Sequence, residues 1–432
     1  MTRGPGGFTV GAARREISPP DPRRLVPTGM GRREPTFGVF DPLFVEAAAI
    51  GLDGEAALLI TADLRYYPSE WVVEIRETLG ARLGLDPWRV LFSATHNHCS
   101  SPVAADRSPE AAAAEAAANR LIRDSIIAAG IAAFETRRPA EMATGTTRLA
   151  EPIGQNRRIR FAGGTCVNGW GAGPVVPPGQ RIVGPAGPDS FRVDYWCARE
   201  PGAARPFALL VSYATHPHLY ELPAFSGEFP GAAKRQIAER LGGALVMQAS
   251  HAAGDIDIHQ VHPMPDEPAA QRAWFRASAD RMGARLADAV CAALPAARYG
   301  RPARLRHDRF TTEPARTAPD QRSFNLVGIA LDDAAIVSMP GELFHEDGLR
   351  IHSESPFANL CLMAYNGSGG AYLAPPLGFE QGSYEVHRGP AAPSPDGDAL
   401  APAPMRAGAR VDTGQRLVAE ILALLRRLRA GG

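Results

Sequence analysis

Short apolar runs alternate along the chain with longer stretches of helical period, the pattern of a mixed α/β protein. The runs Ala56–Ala62, Val90–Ala94, Phe207–Ala214, Ala244–Ala249, Leu326–Leu331, Ala334–Ser338 and Leu360–Ala364 each end in polar or glycine residues and predict strands. Asp332-Asp333 predicts a tight hairpin between the fifth and sixth of them. Helices are predicted over Glu70–Leu83, Glu110–Phe134, Pro230–Leu241, Pro268–Leu294 and Thr413–Leu428; in the first, Trp71, Ile75, Leu79 and Leu83 share one face. The expected fold class is α/β, a central mixed sheet flanked by helices, with functional residues at the carboxyl ends of strands. Two Pro/Gly-rich runs, Gly163–Pro188 and Leu373–Pro404, are too long for plain connections and are candidate lids. Neither separates the strands into self-sufficient halves, so residues 1–432 are expected to form one catalytic domain. No repeat of roughly 20–50 residues is evident.

Composition narrows the chemistry. The 432 residues carry 46 Lys+Arg against 46 Asp+Glu, so no electrostatic footprint for nucleic acid is expected. Hydrophobic residues at 45% and charged residues at 21% supply an ordinary core. No apolar run reaches the roughly 18–20 residues a membrane span requires, and the N-terminal segment has no apolar signal region. The expected location is the cytoplasm. Lys234 is the only lysine, which removes a P-loop, and its neighbours Arg235 and Glu239 make it read as a surface residue. The five cysteines, Cys99, Cys166, Cys197, Cys291 and Cys361, form no C-x-x-C pair and fit a reducing compartment. The signatures G-x-S-x-G, H-E-x-x-H and G-x-G-x-x-G are absent.

Histidine carries the strongest signal. Thr95-His96-Asn97-His98 follows Val90–Ala94, and Thr215-His216-Pro217-His218 follows Phe207–Ala214. Both doublets begin where a buried strand emerges, and two such ends can converge on one metal ion, for which neutral imidazole is the commonest ligand. Other strand exits are similar: Ala244–Ala249 runs into Ser250-His251 and then Gly254-Asp255-Ile256-Asp257, Ala334–Ser338 into Pro340-Gly341-Glu342, and Leu360–Ala364 into Tyr365-Asn366-Gly367. Glu342 also reads, less strongly, as the cap of a helix through Leu343–Ile351. Asp63, at the end of Ala56–Ala62, reads either as a carboxylate orienting a metal ligand or as a helix cap.

In their order these motifs resemble the catalytic domain of the neutral/alkaline, non-lysosomal ceramidase family, zinc-dependent N-acyl amide hydrolases. The likeness runs from Val10-Gly11 and Glu16-Ile17-Ser18-Pro19 through Met30-Gly31 to Tyr384-Glu385. It implies His96, His216, Glu342 and Tyr372 as metal ligands, with His98 and Tyr384 acting on the substrate and Arg157, from Asn156-Arg157, binding it; Tyr372 and Tyr384 keep the family's spacing of twelve residues. The implied cofactor is one Zn2+. Manganese or iron would suit the same ligands. In one place the chain departs from the family: where a Gly-Asp-x-Ser-Pro-Asn motif supplies a catalytic serine, this sequence reads Gly254-Asp255-Ile256-Asp257-Ile258-His259. Ceramide is therefore not the expected substrate, and Asp257 takes the serine's place as a catalytic base. The family's C-terminal β-domain is not expected.

The implied chemistry is hydrolysis of an amide, ester or lactone bond in a small soluble molecule, the metal activating water and His98 or Tyr384 assisting the oxyanion or the leaving group. His218 joins Arg157 as a substrate-binding candidate. Two alternatives stay open: a metal-dependent lyase, isomerase or cyclase using Asp257 to move a proton, and a non-catalytic metal- or ligand-binding module. His218, His251, His259 and His262, with Asp255 and Asp257, leave room for a second metal beside the first. The terminal segment Gln415–Arg429 reads as a packing helix, so membrane contact is not expected. The sequence sets no oligomeric state.

Overall fold

The computed structural model describes residues 7–27, 36–169, 176, 178–219, 224–258, 265, 267–312, 324–367, 372–386 and 411–431. Met30-Gly31, His259, His262 and most of the run 373–404 lie outside them. One topological unit is used three times. In each, three strands meander antiparallel, a helix crosses over, a fourth strand pairs parallel to the third at the sheet edge, and a further helix packs on the outside. The first unit orders Phe8–Glu16, Phe44–Leu52, Glu55–Ala62 and Val90–Ala94, with the crossover helix Ser69–Leu83 and the outer helix Pro109–Glu135. The second orders Glu141–Arg148, Arg192–Arg199, Ala208–Tyr213 and Leu245–Ser250, with helices Glu228–Arg240 and Pro268–Ala293. The third orders Leu305–Thr312, Phe324–Leu331, Ala334–Ser338 and Asn359–Met363, with helices His345–Glu354 and Thr413–Ala430.

The α/β class with mixed sheets is as the sequence implies, and the strands are shared among several sheets. Three of these face one another, which explains why the third and fourth strands are apolar without alternation: both of their faces are buried. Ala57 and Leu59 meet Leu210, Met247, Ile336 and Met363 in a layer common to all three units, while Leu58 and Ile60 point outward under the helices of the first. Leu209 and Val211 do the same beneath the helices of the second, and Ala335 and Val337 in the third. Near the carboxyl ends of these strands the sheets are joined by buried serines. Ser93 Oγ donates to Ala364 O (2.8 Å), Ser338 Oγ to Phe92 O (2.8 Å), Ser212 Oγ to Leu362 O (2.6 Å) and Ser250 Oγ to Thr95 O (3.0 Å). A buried hydroxyl left unpaired is costly, so each of these bonds fixes the register between sheets as well as contributing to stability. Glu141–Arg148 and Leu305–Thr312 are mostly polar, with only Met142, Ala143, Leu305 and Phe310 apolar, and Phe44–Leu52 carries an alanine run; the apolar pattern predicts none of the three as strands.

The segment 163–188 is in part structured. Arg158–Phe161, Cys166–Asn168 and Ile182–Pro185 form a three-stranded antiparallel ribbon inserted between the first two strands of the second unit. The hairpin at Asp332-Asp333 is present, with Leu331 opposite Ala334 and Asp332 at a φ of 47°. Among the described residues, no helix is long and apolar enough to cross a membrane.

Lys234 is not a surface residue. It is 6% exposed, and its ammonium lies 2.8 Å from both Glu46 Oε1 and Asp63 Oδ1, so it joins the crossover helix of the second unit to the sheet of the first. Asp63 is correspondingly neither a helix cap nor an orienter of a metal ligand; its other contact is the backbone N–H of Phe44 (2.9 Å). Burial opposes the lysine charge, but the two carboxylates outweigh it and raise the lysine pKa; burial pushes Glu46 up to about 7. An amine-acylating reagent should therefore leave Lys234 unmodified in the native protein and reach it after denaturation, which peptide mass mapping reads directly. Lys234→Ala should cost about 3–5 kcal/mol by leaving buried carboxylates unpaired.

Candidate metal centre

Each of the three units delivers one side chain to a single point. His96 follows the fourth strand of the first unit, His216 the third strand of the second, and Glu342 the third strand of the third. Local geometry turns each inward. His96 takes a left-handed backbone conformation (φ 60°), an unusual state for a residue with a Cβ and one held here by the surrounding structure. Gly341 has a φ of 63°, and the turn it makes brings Glu342 into a short parallel pairing opposite Tyr372. Glu342 is therefore not a helix cap, and the helix that follows begins at His345. Gly254 lies against this turn so closely that a Cβ would come 2.3 Å from Glu342 O, which accounts for glycine at the start of Gly254-Asp255.

The imidazoles are oriented from behind. His96 Nδ1 lies 2.7 Å from Arg65 O and His216 Nδ1 2.8 Å from Ile256 O, so both Nδ1 atoms carry the proton and both Nε2 atoms keep the lone pair. His98 Nε2 is 3.4 Å from His96 Nε2, and the three imidazoles offer ligand atoms within 4.8 Å of one another. Burial pushes His96 and His98 well below the ordinary imidazole range and His216 down to about 3. The rings are neutral near pH 7, the form that binds metal. Yet His216 Nε2 stands 3.0 Å from Glu342 Oε2, with His96 Nε2 3.9 Å from Oε1. A lone pair facing a carboxylate oxygen at that distance, in a site 2% exposed or less for these three residues, calls for a cation between them. The donor set of nitrogen and carboxylate oxygen suits a divalent ion such as zinc.

Around this point stand the other residues singled out in the sequence. Arg157 is 4% exposed and committed to the protein: Nε donates to Glu385 Oε1 (2.8 Å), Nη2 to Gly254 O (2.9 Å) and Tyr372 OH (3.0 Å), and Nη1 is 3.8 Å from Asp257 Oδ2. Asp257 pairs with His216 in a backbone bridge, and its Oδ1 accepts from the N–H of Ile258. Tyr372 and Tyr384 pack edge to face with centroids 5.8 Å apart, and the His218 ring lies 4.8 Å from that of His98. The structure thus brings His96, His98, Arg157, His216, His218, Asp257, Glu342, Tyr372 and Tyr384 into one cluster. Among the described residues, Asp255 and His251 do not join them as a second metal group. Asp255 is bound to Asn156 Nδ2 (2.6 Å) and the N–H of His345 (2.7 Å), and His251 belongs to a different cluster with Asp194 and His352.

Sequence reasoning missed two supports. Tyr365 stacks on His96 with centroids 4.0 Å apart and planes 7° from parallel. Glu385 is fully buried between Arg157 and Arg158 and also accepts from Asn168 Nδ2 (2.8 Å) and Ser383 Oγ. Burial alone would raise its pKa, but the two guanidiniums and the hydrogen bonds hold it at about 2. Its place directly after Tyr384 was the available signal.

No protein-family model and no curated protein matches the chain. Among solved structures, a neutral ceramidase from Pseudomonas aeruginosa superposes with a TM-score of 0.69 at 11% identity, over 99% of this chain and 75% of that one. A ceramidase complexed with C2 gives a TM-score of 0.68 at 11% identity, over 99% and 76%. At such low identity the likeness is one of architecture: the chain has a ceramidase-like α/β fold.

Proposed function

We propose that the protein is a zinc-dependent hydrolase that cleaves an amide, ester or lactone bond of a small soluble molecule. The observation that carries this reading is the opposition of His216 Nε2 and Glu342 Oε2, two acceptors at 3.0 Å in a buried pocket shared with His96. His96, His216 and Glu342 would hold the ion, with Tyr372 beside Glu342 completing the set. The chemistry such an ion supplies when bound is polarisation of a carbonyl and a source of hydroxide near neutral pH. His98, neutral and next to His96, is placed to take or release a proton at Nε2. Tyr384 supplies a hydroxyl donor for a developing oxyanion. Asp257 stands as the second base. Arg157, with Nε and Nη2 already engaged, would position Tyr372 and Asp257 in preference to gripping a substrate anion. The ceramidase-like fold supports a hydrolase, and Asp257 in place of serine supports a substrate other than ceramide. The five cysteines are free thiols, in keeping with a reducing, cytoplasmic location.

The test is a panel of amides, esters and lactones offered to zinc-loaded protein in 18O-labelled water. Hydrolysis places one labelled oxygen in the acid product. Turnover without label would replace this reading with the lyase or isomerase one that Asp257 also suits. His98→Ala should retain metal and lose about 10²–10⁴-fold in kcat, the usual worth of a positioned acid or base. Full activity in that variant would remove His98 from the mechanism.

A further inference from the structure

Away from this centre, Asp194, His251 and His352 form a second group of ligand-type side chains. Asp194 lies near the start of the second strand of the second unit, His251 directly follows that unit's fourth strand, and His352 lies in the last turn of the third unit's crossover helix. Their side chains are 2%, 3% and 5% exposed. His251 Nε2 and His352 Nε2 are 2.7 Å apart, and both face Asp194 Oδ2, at 3.9 and 3.3 Å. The carboxylate is divided between two tasks. Oδ1 accepts from Thr146 Oγ1 (2.8 Å) and Arg192 Nε (2.9 Å), while Oδ2, buried and aimed at the two imidazoles, accepts no hydrogen bond. A buried carboxylate oxygen without a partner is unfavourable, and no donor among the described residues offsets it.

We propose that Asp194, His251 and His352 bind a divalent transition-metal ion of the zinc type, and that this ion clasps the second unit to the third. Two imidazole nitrogens and one carboxylate oxygen are a zinc-type donor set. Tetrahedral bonds of about 2.0–2.1 Å place ligand atoms roughly 3.3 Å apart. The His352–Asp194 edge already has that length, while the two nitrogens need to separate, and the His251–Asp194 edge to close, by about half an ångström each. Arg192, 25% exposed, flanks the site on the solvent side and neutralises Oδ1, leaving Oδ2 as the ligand. The helix that carries His352 begins three residues after Glu342, so the clasp fixes the segment that presents Glu342 to the first centre.

The test is metal content by elemental analysis of the whole protein, stripped with chelator and reloaded with Zn2+, in the wild type, Asp194→Asn, His352→Gln and His96→Ala. Expected is one ion fewer per chain in Asp194→Asn and in His352→Gln than in the wild type, whatever the first centre holds, with circular dichroism showing both variants folded. His96→Ala should keep the clasp ion, so failure of the first centre to bind metal leaves this comparison intact. Zinc at a hundredfold excess over its Kd for the clasp should raise the Tm of His96→Ala by about 3 °C, and that rise should vanish when His352→Gln is added. Equal zinc content in the wild type, Asp194→Asn and His352→Gln would overturn the proposal and leave the pair as an imidazole–imidazole hydrogen bond.

Discussion

Glu342→Ala is expected to release metal from the first centre and to lower hydrolysis by on the order of 10³-fold, the several kcal/mol that Lewis-acid stabilisation contributes at 1.36 kcal/mol per decade. Glu342 is the one negative charge among the residues that face one another across this point, set against two neutral imidazoles. Removing it takes away a ligand and also the acceptor that makes the empty pocket unfavourable. A paradoxical gain in the stability of the metal-free protein should accompany the loss of activity, because His216 Nε2 then faces no carboxylate. Glu342→Gln separates the two effects: its amide N–H can donate to His216 Nε2, so the metal-free protein should be stabilised further while metal affinity still falls. Elemental analysis and thermal melts in chelator read both quantities. A Glu342→Ala protein that keeps its full complement of metal would show that the ion sits elsewhere, and the reading of the site would fall with it.

What the sequence revealed follows from what burial does to patterns. The third and fourth strands of each unit are apolar on both faces, and the residues at their exits are the first polar ones after a dry run. His96, His216 and Glu342 could therefore be seen before their convergence was known. The threefold use of one unit left no such trace, because the long insertion at 149–191 interrupts the second copy and topology can be kept by different apolar residues. Outer strands such as Leu305–Thr312 were hidden by exposure, since Arg, His, Asp and Thr fill them around only two apolar residues, Leu305 and Phe310. Lys234 was misread for a related reason: its sequence neighbours Arg235 and Glu239 are exposed, but a helix turns each residue by about 100°, and the lysine points the other way, toward two carboxylates far away in sequence. His352 sits among Arg350, Ser353 and Glu354 and looks like surface, and Asp194, between Val193 and Tyr195, belongs to no motif. Only the packing of the second unit against the third brings them together.

Glu385→Gln should be the most destabilising single change near the site. It leaves Arg157 and Arg158, 4% and 2% exposed, without the carboxylate between them, and breaking one partner out of a buried pair costs about 3–5 kcal/mol. The pH dependence identifies the cause. Glu385 titrates at about 2 in the folded protein against an ordinary 4.5, a depression, so its contribution is complete above the ordinary value and disappears as pH falls through the folded one. The difference in unfolding free energy between wild type and variant should be flat above about pH 5 and shrink by roughly 3 kcal/mol between pH 4.5 and 2. Taking the difference removes the opposing titrations of Glu46 and Asp347, each pushed up to about 7 mainly by burial, because they are common to both proteins. Catalysis supplies the second readout. Arg157 keeps at Nε only a neutral amide acceptor in place of the carboxylate that anchors it under Tyr372, so kcat should fall about 10–100-fold with KM nearly unchanged, the behaviour of a positioning residue. Equal stability losses at pH 7 and pH 3 would show that the carboxylate charge is not what anchors the two arginines. A raised KM at constant kcat would instead return Arg157 to direct contact with substrate.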